Sequence, residues 1–590
     1  MPSSWRTTSS QRGAATGWWD ERKQVTGKIT SWSRPLPSGF SFRPPMLVRR
    51  LRPTPYFRAF HDLRTYQEDI RWPGWQVIIG IETHAQIKSH RKLFSESLTS
   101  APDDPPNTHV SPFDAAFPGT LPKVNPKCVD LALRTAFALK CRIAHRSSFD
   151  RKHYFYSDLP SGYQITQQYA PLAKNGELEV QTPGSSPVTV RIKQIQLEQD
   201  TAKSTFNPRT RTSNIDLNRA GTGLMEIVSE PDMRSPEEAG AYVRTLQAVL
   251  RAMGSSDGNM EQGSLRCDVN VSVNQKGGPP GIRCEIKNLN SVRFIMAAIR
   301  HEIKRQTEYL LANPGSSVPQ ETRGFDENTF ETFRLRSKED APDYRYMPDP
   351  NLGVLVLSQS RIEEIQKMLP ALPWEKRSRL LEQYPQLGAK EQSLDVLLNV
   401  DNGRDVGFDG EDSGGVVGYF ESLCREARAD GRTVKRDPVV VLNWLTHELL
   451  GQLTARKQTF SDNALTVSQL GELIDLVQSK SITGTSGKFL LRHMLSSPSS
   501  DSPTKIATGL ELIALPASPS FSPSSQGKGS ASPELQSLCE AAITALPSEV
   551  AALRAGNRNV LNKIVGYVMK QSRGRADAVA VRNLVEELVR

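Results

Sequence analysis

The sequence predicts an α+β protein, a strand-rich mixed-sheet region followed by an all-helical one, and three observations carry that reading. Residues 265–273 alternate, with Leu265, Cys267, Val269, Val271 and Val273 on one side and Arg266, Asp268, Asn270 and Ser272 on the other. Period two with one apolar side marks a strand with one buried face. After the turn-forming run Lys276-Gly277-Gly278-Pro279-Pro280-Gly281 the alternation resumes, with Ile282, Cys284 and Ile286 apolar and Arg283, Glu285 and Lys287 polar, so the two runs read as a hairpin. Beyond about Leu357 the apolar spacing lengthens to three and four, over 362–369, 374–384, 438–450 and 467–478, as in helices that bury one stripe.

At 590 residues the chain is too long for one core and is expected to hold several domains. Residues 1–67 carry ten Arg and two Lys against Asp20, Glu21 and Asp62, a local charge of +9 in a chain of net charge +10. Rich in Arg, Ser and Pro and poor in acids, this segment has the composition of an organellar transit peptide, with a disordered basic arm as the alternative. The remainder is nearly neutral. Six cysteines, at 128, 141, 267, 284, 424 and 539, show no Cys-x-x-Cys and no regular spacing, which argues for reduced thiols rather than a disulfide frame or zinc site. No apolar run approaches the roughly 18–20 residues of a spanning helix, so no membrane insertion is expected.

Residues 68–357 form the first expected domain. Strand-like text begins at Trp75, gives way to a proline-rich stretch over 102–126, and is followed by a helix over Lys127–Lys140. Residues 151–165 mix cations, aromatics and a turn, a combination that can bind a phosphate, stack a base or pack as an aromatic loop. Ser235-Pro236-Glu237-Glu238 predicts a helix start with a serine N-cap, proline at the first position and a capping-box glutamate. Tyr242, Val243, Leu246, Val249, Leu250 and Met253 form its stripe, and Gly254 ends it. Another helix follows Ser291, with Val292, Ile295, Ile299, Ile303 and Leu310 inward, and stops at Asn313-Pro314. Residues 358–494 read as a helical domain whose Asp- and Gly-rich insert, 399–418, is expected to be a flexible loop. Residues 495–590 form a tail in which 496–503 and 516–533 are Ser/Pro-rich and expected to be unstructured. Its last helix turns Val560, Leu561, Ile564, Val565, Val568 and Met569 to one face, within a stretch, 553–575, that holds six bases and no acid.

The chemistry gathers on the polar side of the strands. In 77–87, Glu82, His84 and Gln86 oppose Ile79, Ile81 and Ile87. Glu-x-His on a strand aims a carboxylate and an imidazole the same way, roughly 7 Å apart. Gln196, Glu198 and Asp200 repeat the device outward of Ile195 and Leu197, and 224–230 adds Glu226 and Glu230. A face of acids beside Arg and Lys repels itself unless something sits on it, and a hard cation with a phosphate is the simplest occupant. An ordinary solvated sheet face is the plainer alternative. Residues 484–489 are not a P-loop, since Ile482 stands where its first glycine belongs and no Ser or Thr follows Lys488. No Gly-x-Ser-x-Gly and no cysteine with an evident histidine partner speaks for a hydrolase.

Four motifs, Ile79-Gly80-Ile81-Glu82-Thr83-His84, Arg151-Lys152-His153-Tyr154-Phe155-Tyr156, Asp257-Gly258-Asn259-Met260-Glu261 and Glu285-Ile286-Lys287-Asn288-Leu289-Asn290, resemble the B subunits of the glutamyl-tRNA(Gln) amidotransferases. The resemblance runs in order from about Val77 to Arg590, with Gly566-Tyr567-Val568-Met569-Lys570 similar to the family's tail. It implies a cradle-shaped catalytic domain, a helical domain and a small helical tail similar to the YqeY family. It implies an enzyme that uses ATP and Mg²⁺ to phosphorylate the side chain of glutamate charged on tRNA(Gln), after which ammonia displaces phosphate. By motif it points to Glu82, His84, Glu198 and Glu285 as metal and catalytic residues together with Lys287. Asp200, Glu261, Asp268 and Arg283 are the expected neighbours on the ATP. Lys563, Lys570, Arg573 and Arg575 of the tail are candidate tRNA contacts, with a merely solvated basic face as the alternative. Two departures stand out. Many bacterial relatives carry cysteines where this chain has Ser111 and Asp114, so their zinc knob is not expected here, and the usual His-Leu-Glu-Glu-Asp run is Gln196-Leu197-Glu198-Gln199-Asp200. The expected partners are the family's amidase-fold glutaminase, a small third subunit, and glutamate-charged tRNA(Gln), in the mitochondrial matrix. An amidotransferase component acting on Asp-tRNA(Asn) and a catalytically silent tRNA-binding scaffold remain as alternatives.

Overall fold

The computed structural model describes residues 69–101, 103–337, 343–403, 406–410, 414–427, 433–515, 533–555 and 557–589. The expected transit peptide and the Ser/Pro-rich run 516–532 lie outside the described residues. In chain order the strands as far as Pro348 are β1 (Trp75–Gln86), β2 (Arg142–Ile143), β3 (Arg146–Ser147), β4 (Asp150–His153), β5 (Tyr163–Thr166), β6 (Ala173–Val180), β7 (Val188–Gln199), β8 (Lys203–Asn207), β9 (Thr212–Asp216), β10 (Gly223–Ser229), β11 (Leu265–Gln275), β12 (Cys284–Leu289), β13 (Glu321–Asp326), β14 (Glu331–Ser337) and β15 (Met347–Pro348). Nine of them make one sheet in the order β14-β13-β12-β11-β1-β10-β7-β6-β2. Neighbours are antiparallel except β12 and β13, which makes the sheet mixed.

Strand β1 lies at the centre because its odd positions, Val77, Ile79, Ile81, Thr83 and Ala85, are all buried while Glu82 and His84 face the other way. Helices α1 (Pro126–Ala138), α2 (Pro236–Ala252) and α3 (Val292–Ala312) share one core with that apolar side of the sheet. Ser235 caps α2 by accepting the Glu238 N–H at 3.1 Å, but Glu238 Oε2 reaches back to the Arg234 N–H at 2.7 Å rather than to its cap.

The β11–β12 hairpin departs from strict alternation twice. Ile282 is 38% exposed because β12 starts only at Cys284. Pro279 and Pro280 cannot join a ladder, and Gly281 crosses so close to Val273 that a Cβ there would stand 2.2 Å from its carbonyl oxygen. At the other end the register slips so that Lys287 and Asn288 together oppose Asp268, Cys267 pairing with Leu289 and Val269 with Ile286. Asn288 absorbs this bulge at φ 59, a left-handed conformation that asparagine tolerates. The extra residue returns Leu289 to the core.

The polar side of the sheet is not solvated. A second sheet, β15-β4-β5, lies over it. Past Ile195, β7 outruns β6, and the cover satisfies the freed backbone, with Gln167 accepting the Leu197 N–H at 3.1 Å and Gln164 donating to the Gln199 carbonyl at 2.5 Å. Glu198 and Asp200 are each 3% exposed and Asp268 5%, so these acids look into a closed cleft rather than outward to water.

The helical region has its own core, built around Leu394, Phe420, Leu445, Leu473 and Leu490. Its insert is not simply a loop. A helix runs through Glu391–Asn402, another starts at Val416, and between them the turn Phe408–Gly410 hooks onto the sheet-bearing region. Asp409 donates its N–H to the Lys88 carbonyl at 2.8 Å and accepts from Ser89 Oγ at 2.9 Å, while Phe408 stacks on His90 with centroids 4.6 Å apart. Residues 496–503, expected to be unstructured, form a short ordered connection, in which Gln469 donates to the Ser499 carbonyl at 2.7 Å and Ser502 caps the helix Pro503–Gly509. A third core gathers Leu535, Cys539, Ile564, Val568, Val581 and Val585 in the tail helices. All six cysteines are buried and unpaired. Among the described residues no helix is long and apolar enough to cross a membrane.

Candidate functional site

Antiparallel register lines up the polar residues of five adjacent strands. Glu82 lies opposite Asp268 on β11, and His84 opposite Arg266 on β11 and Glu226 on β10. Glu285 of β12 faces Asn270, and Glu198 of β7 faces Leu224, two residues from Glu226 along β10. Three groups result.

At the centre, ligand atoms of His84, Glu198 and Glu226 all lie within 4.8 Å of one another. Glu198 Oε2 is buried with no hydrogen-bond donor. Burial, and then the Glu198 charge, push the Glu226 carboxyl from 4.5 up to about 8. Lys152, reaching in from β4, stands 3.8 Å from Glu198. Burial opposes its charge, yet Glu198 and Glu226 hold its ammonium above the ordinary lysine range. Gln196 donates to Glu226 at 2.7 Å and to Thr166 at 3.1 Å, so this glutamine braces the cluster. Gln199 turns away to accept the Ile165 N–H at 3.4 Å.

Beside this cluster, Lys287 Nζ lies 2.8 Å from Asp268 and 3.0 Å from Glu285, and the Asn288 N–H reaches Asp268 at 2.9 Å. The β12 bulge is what aims both donors at one carboxylate. Burial disfavours the Asp268 charge, but Lys287 and His84 outweigh it and keep the carboxyl below its usual value. Glu82 accepts from Asn270 Nδ2 at 3.4 Å, and burial together with the charges of Asp268 and Glu285 raises its pKa. In the third group Asp200 pairs with Arg266 at 3.0 Å and Arg219 at 3.7 Å and accepts from Gln86 at 3.1 Å. These partners overcome its burial and hold it below the ordinary carboxylate range.

Of the residues singled out in the sequence, the structure brings His84 and Glu198 together, with Glu82, Glu285, Lys287, Asp268 and Asp200 around them. Glu226 completes the central trio. Its alternation was legible, but nothing in the sequence ranked it above Glu230. Lys152 was visible only as one cation in an aromatic loop. Glu261 is exposed in the turn before β11, and Arg283 is exposed just before β12; both stay outside the buried groups. In the tail, Lys563 pairs with Glu549 at 2.5 Å, Arg573 lies 3.8 Å from Glu511 and Arg575 3.7 Å from Glu534. Acids from other segments thus meet bases that are uncompensated along the sequence. At Ser111 and Asp114, where no zinc knob was expected, the structure places a buried ion pair. Lys92 Nζ lies 3.2 Å from Asp114, which also accepts from Ser95 Oγ and the Ser111 N–H, each at 3.1 Å.

An imidazole and two carboxylates converging on a buried, donor-free oxygen suit a divalent cation, the oxygens favouring Mg²⁺ and the nitrogen also admitting Mn²⁺ or Zn²⁺. Such a cluster on a closed sheet face, with lysines at its rim, has the chemistry to hold a cation beside anionic groups. Comparison with known proteins narrows the class. The GatB/GatE catalytic domain matches residues 77–363, and the GatB domain matches 424–520 and 525–589. The chain is 68% identical over 536 residues, 90% of its own length and 95% of the relative's, to the B subunit of the mitochondrial glutamyl-tRNA(Gln) amidotransferase of Laccaria bicolor. It is 39% identical over 532 residues to the human protein of that name, covering 87% of this chain and 88% of the relative. It is 40% identical over 513 residues, 87% of this chain and 97% of the relative, to the B subunit of the aspartyl/glutamyl-tRNA(Asn/Gln) amidotransferase of Rickettsia canadensis. The chain belongs to the family of amidotransferase B subunits.

Proposed function

We propose that this chain is the component that activates and amidates the glutamate of mischarged Glu-tRNA(Gln) in mitochondrial translation, within an ATP-dependent amidotransferase of several subunits. The observation that carries the reading is the convergence of His84, Glu198 and Glu226 with Lys152 on a buried polar face, in a chain similar over nine-tenths of its length to a mitochondrial B subunit. A carboxylate cannot be attacked by ammonia until one of its oxygens can leave. The γ-phosphoryl group of ATP therefore passes to the glutamate side chain with loss of ADP, and ammonia then adds to the acyl carbon with loss of phosphate. His84, Glu198 and Glu226 would hold Mg²⁺, with Glu82 and Glu285 alongside. The cation supplies charge neutralisation where two anions meet. Lys152 and Lys287, kept protonated by their acidic neighbours, orient phosphate oxygens, and the β15-β4-β5 cover keeps bulk water from the activated acyl group.

The ammonia source lies elsewhere, in an amidase-fold glutaminase held by a small third subunit. The test is the purified chain with glutamate-charged tRNA(Gln) and ATP. Amidation is expected with ammonium and not with glutamine until the glutaminase is added. Glutamine-dependent amidation by the lone chain would overturn the need for a partner, and no amidation with ammonium by the full assembly would overturn the reading itself. The Rickettsia relative is named for both tRNAs, so Asp-tRNA(Asn) belongs in the same assay as a second substrate.

A further inference from the structure

The far end of the cleft, at β13 and β14, carries residues that the carboxylate chemistry does not use. Register runs one row of cleft-side residues from Asn270 through Glu285 and Thr322 to Arg336, and Thr322 Oγ1 donates to Glu285 at 3.2 Å. Arg336 joins that row because the β13–β14 register slips between Thr322 and Arg323, leaving Leu335 over. Strict alternation would have turned it to the helix side. The other two arginines of this hairpin do face that side and meet acids, Arg323 lying 2.6 Å from Glu321 and 3.3 Å from Glu302, and Arg334 3.7 Å from Glu321. Among the described residues Arg336 meets none, and its Nε is buried with no acceptor. One row on, Phe333 pairs with Gly324. A Cβ on Gly324 would stand 2.5 Å from the Cζ of that ring and 2.9 Å from both Cε atoms, over its face rather than its edge, and Phe333 is still 47% exposed.

A guanidinium fork without an acid is a ready site for a phosphate, which it meets with paired donors. An aromatic ring laid flat on a glycine and open on its other side is a surface on which a base stacks. Packing alone accounts for the ring over the glycine but not for the unpaired cation beside it. Two strands separate Arg336 from Glu285, roughly 10 Å between their backbones. In a glutamate esterified to a terminal ribose, the side-chain carboxylate and the phosphate of that nucleotide are separated by a distance of the same order. Strand β14 is the edge of the nine-stranded sheet, so a chain end can enter there without crossing the cover, which bonds to β7 toward the other end. We propose that the β13–β14 edge seats the 3′-terminal nucleotide of the charged tRNA, with Phe333 under its base, Arg336 on its phosphate and the aminoacyl group directed along the row to Glu285. This rests on the functional reading above.

The test uses the enzyme assembled with its partner subunits and supplied with ammonium. Phe333→Leu, which keeps the glycine covered and removes the flat face, is expected to raise KM for Glu-tRNA(Gln) by roughly 5- to 100-fold, the span that per-base stacking energies imply. Phe333→Tyr, which keeps the ring, should restore it. Arg336→Gln is expected to raise the same KM and, in filter binding of the charged tRNA, to lower the slope of log affinity against log salt by about 0.7, the share of one phosphate on a single strand. Phe333→Leu should leave that slope unchanged, and KM for ATP should stay near wild type in all three variants. Unchanged KM for the tRNA in both Phe333→Leu and Arg336→Gln overturns the seat. So does a rise confined to KM for ATP, which would assign Arg336 to the triphosphate, and so does loss of a subunit on gel filtration, which would place this edge at an interface between chains. A wild-type assembly that binds charged tRNA but does not amidate would instead strike the functional reading, and the affinities and salt slopes of the variants would still decide the seat.

Discussion

Glu226→Gln should stabilise the metal-free protein while abolishing its activity. The Glu226 carboxyl is raised from 4.5 to about 8 by burial and by Glu198. At about 1.4 kcal/mol per tenfold in proton affinity, the cost of charging it in the fold is on the order of 2–5 kcal/mol. An acid whose folded-state pKa is raised contributes stability that is complete below the unfolded value and lost as pH rises through the folded one. With chelator present, wild-type stability should therefore fall between about pH 5 and pH 9, and the glutamine variant, with no proton to lose, should fall less by that amount. Adding Mg²⁺ at high pH should restore the wild type and leave the variant nearly unmoved. Urea unfolding across pH, with and without cation, reads all of this. Parallel pH profiles for the two proteins would refute the argument, because they would mean that Glu226 is not charged at a cost in the fold.

Three further outcomes are expected. Glu82→Gln and Glu285→Gln should each abolish ATP-dependent phosphorylation at stability within about 1 kcal/mol of wild type, and turnover at the wild-type rate in either would remove it from the site. Glu302→Gln should cost about 3–5 kcal/mol, since Glu302 is fully buried beneath Arg305 at 2.6 Å and Arg323 at 3.3 Å; these partners and Gln306 outweigh burial and lower its pKa, so thermal melts of wild type and variant should converge as pH falls through that lowered value. Neutralising Lys563, Lys570, Arg573 and Arg575 should weaken tRNA binding and flatten its salt dependence. An unchanged slope would return that face to plain solvation.

Much of the catalytic region was legible because alternation on a half-buried strand assigns each side chain to a face without reference to the rest of the chain. That logic placed Glu82, His84, Glu198, Asp268, Glu285 and Lys287 on one side of one sheet. It did not reveal that the face is covered, because Gln164 on β5 and Gln167 just past it belong to a strand whose own pattern says nothing about where it docks. Nor did it reveal the bulge at Asn288, although Leu289 out of phase after Ile286 was its trace. The hook at Phe408–Gly410 was misread since glycine and aspartate describe how a segment turns and not what it touches. The tail shows the same limit for charge. Lys563 looks free along the sequence and meets Glu549 only once the helices pack.

Under the proposed function, the composition of the cleft accounts for activation of a carboxylate there. Glu82, Asp268, Glu285, Glu198 and Glu226 supply five acids against the two ammonium groups of Lys152 and Lys287, all at least partly removed from the water that would screen them. Two of the acids, Glu82 and Glu226, respond by holding protons more tightly. A site built only for stability would pair them, as Asp200 is paired with Arg266 and Arg219. Leaving Glu82 and Glu226 without such a pairing keeps an electrostatic strain in the folded state that a divalent cation would relieve on binding. Under the proposed function, a cation held there would offset in advance the repulsion between the triphosphate and the glutamate side chain.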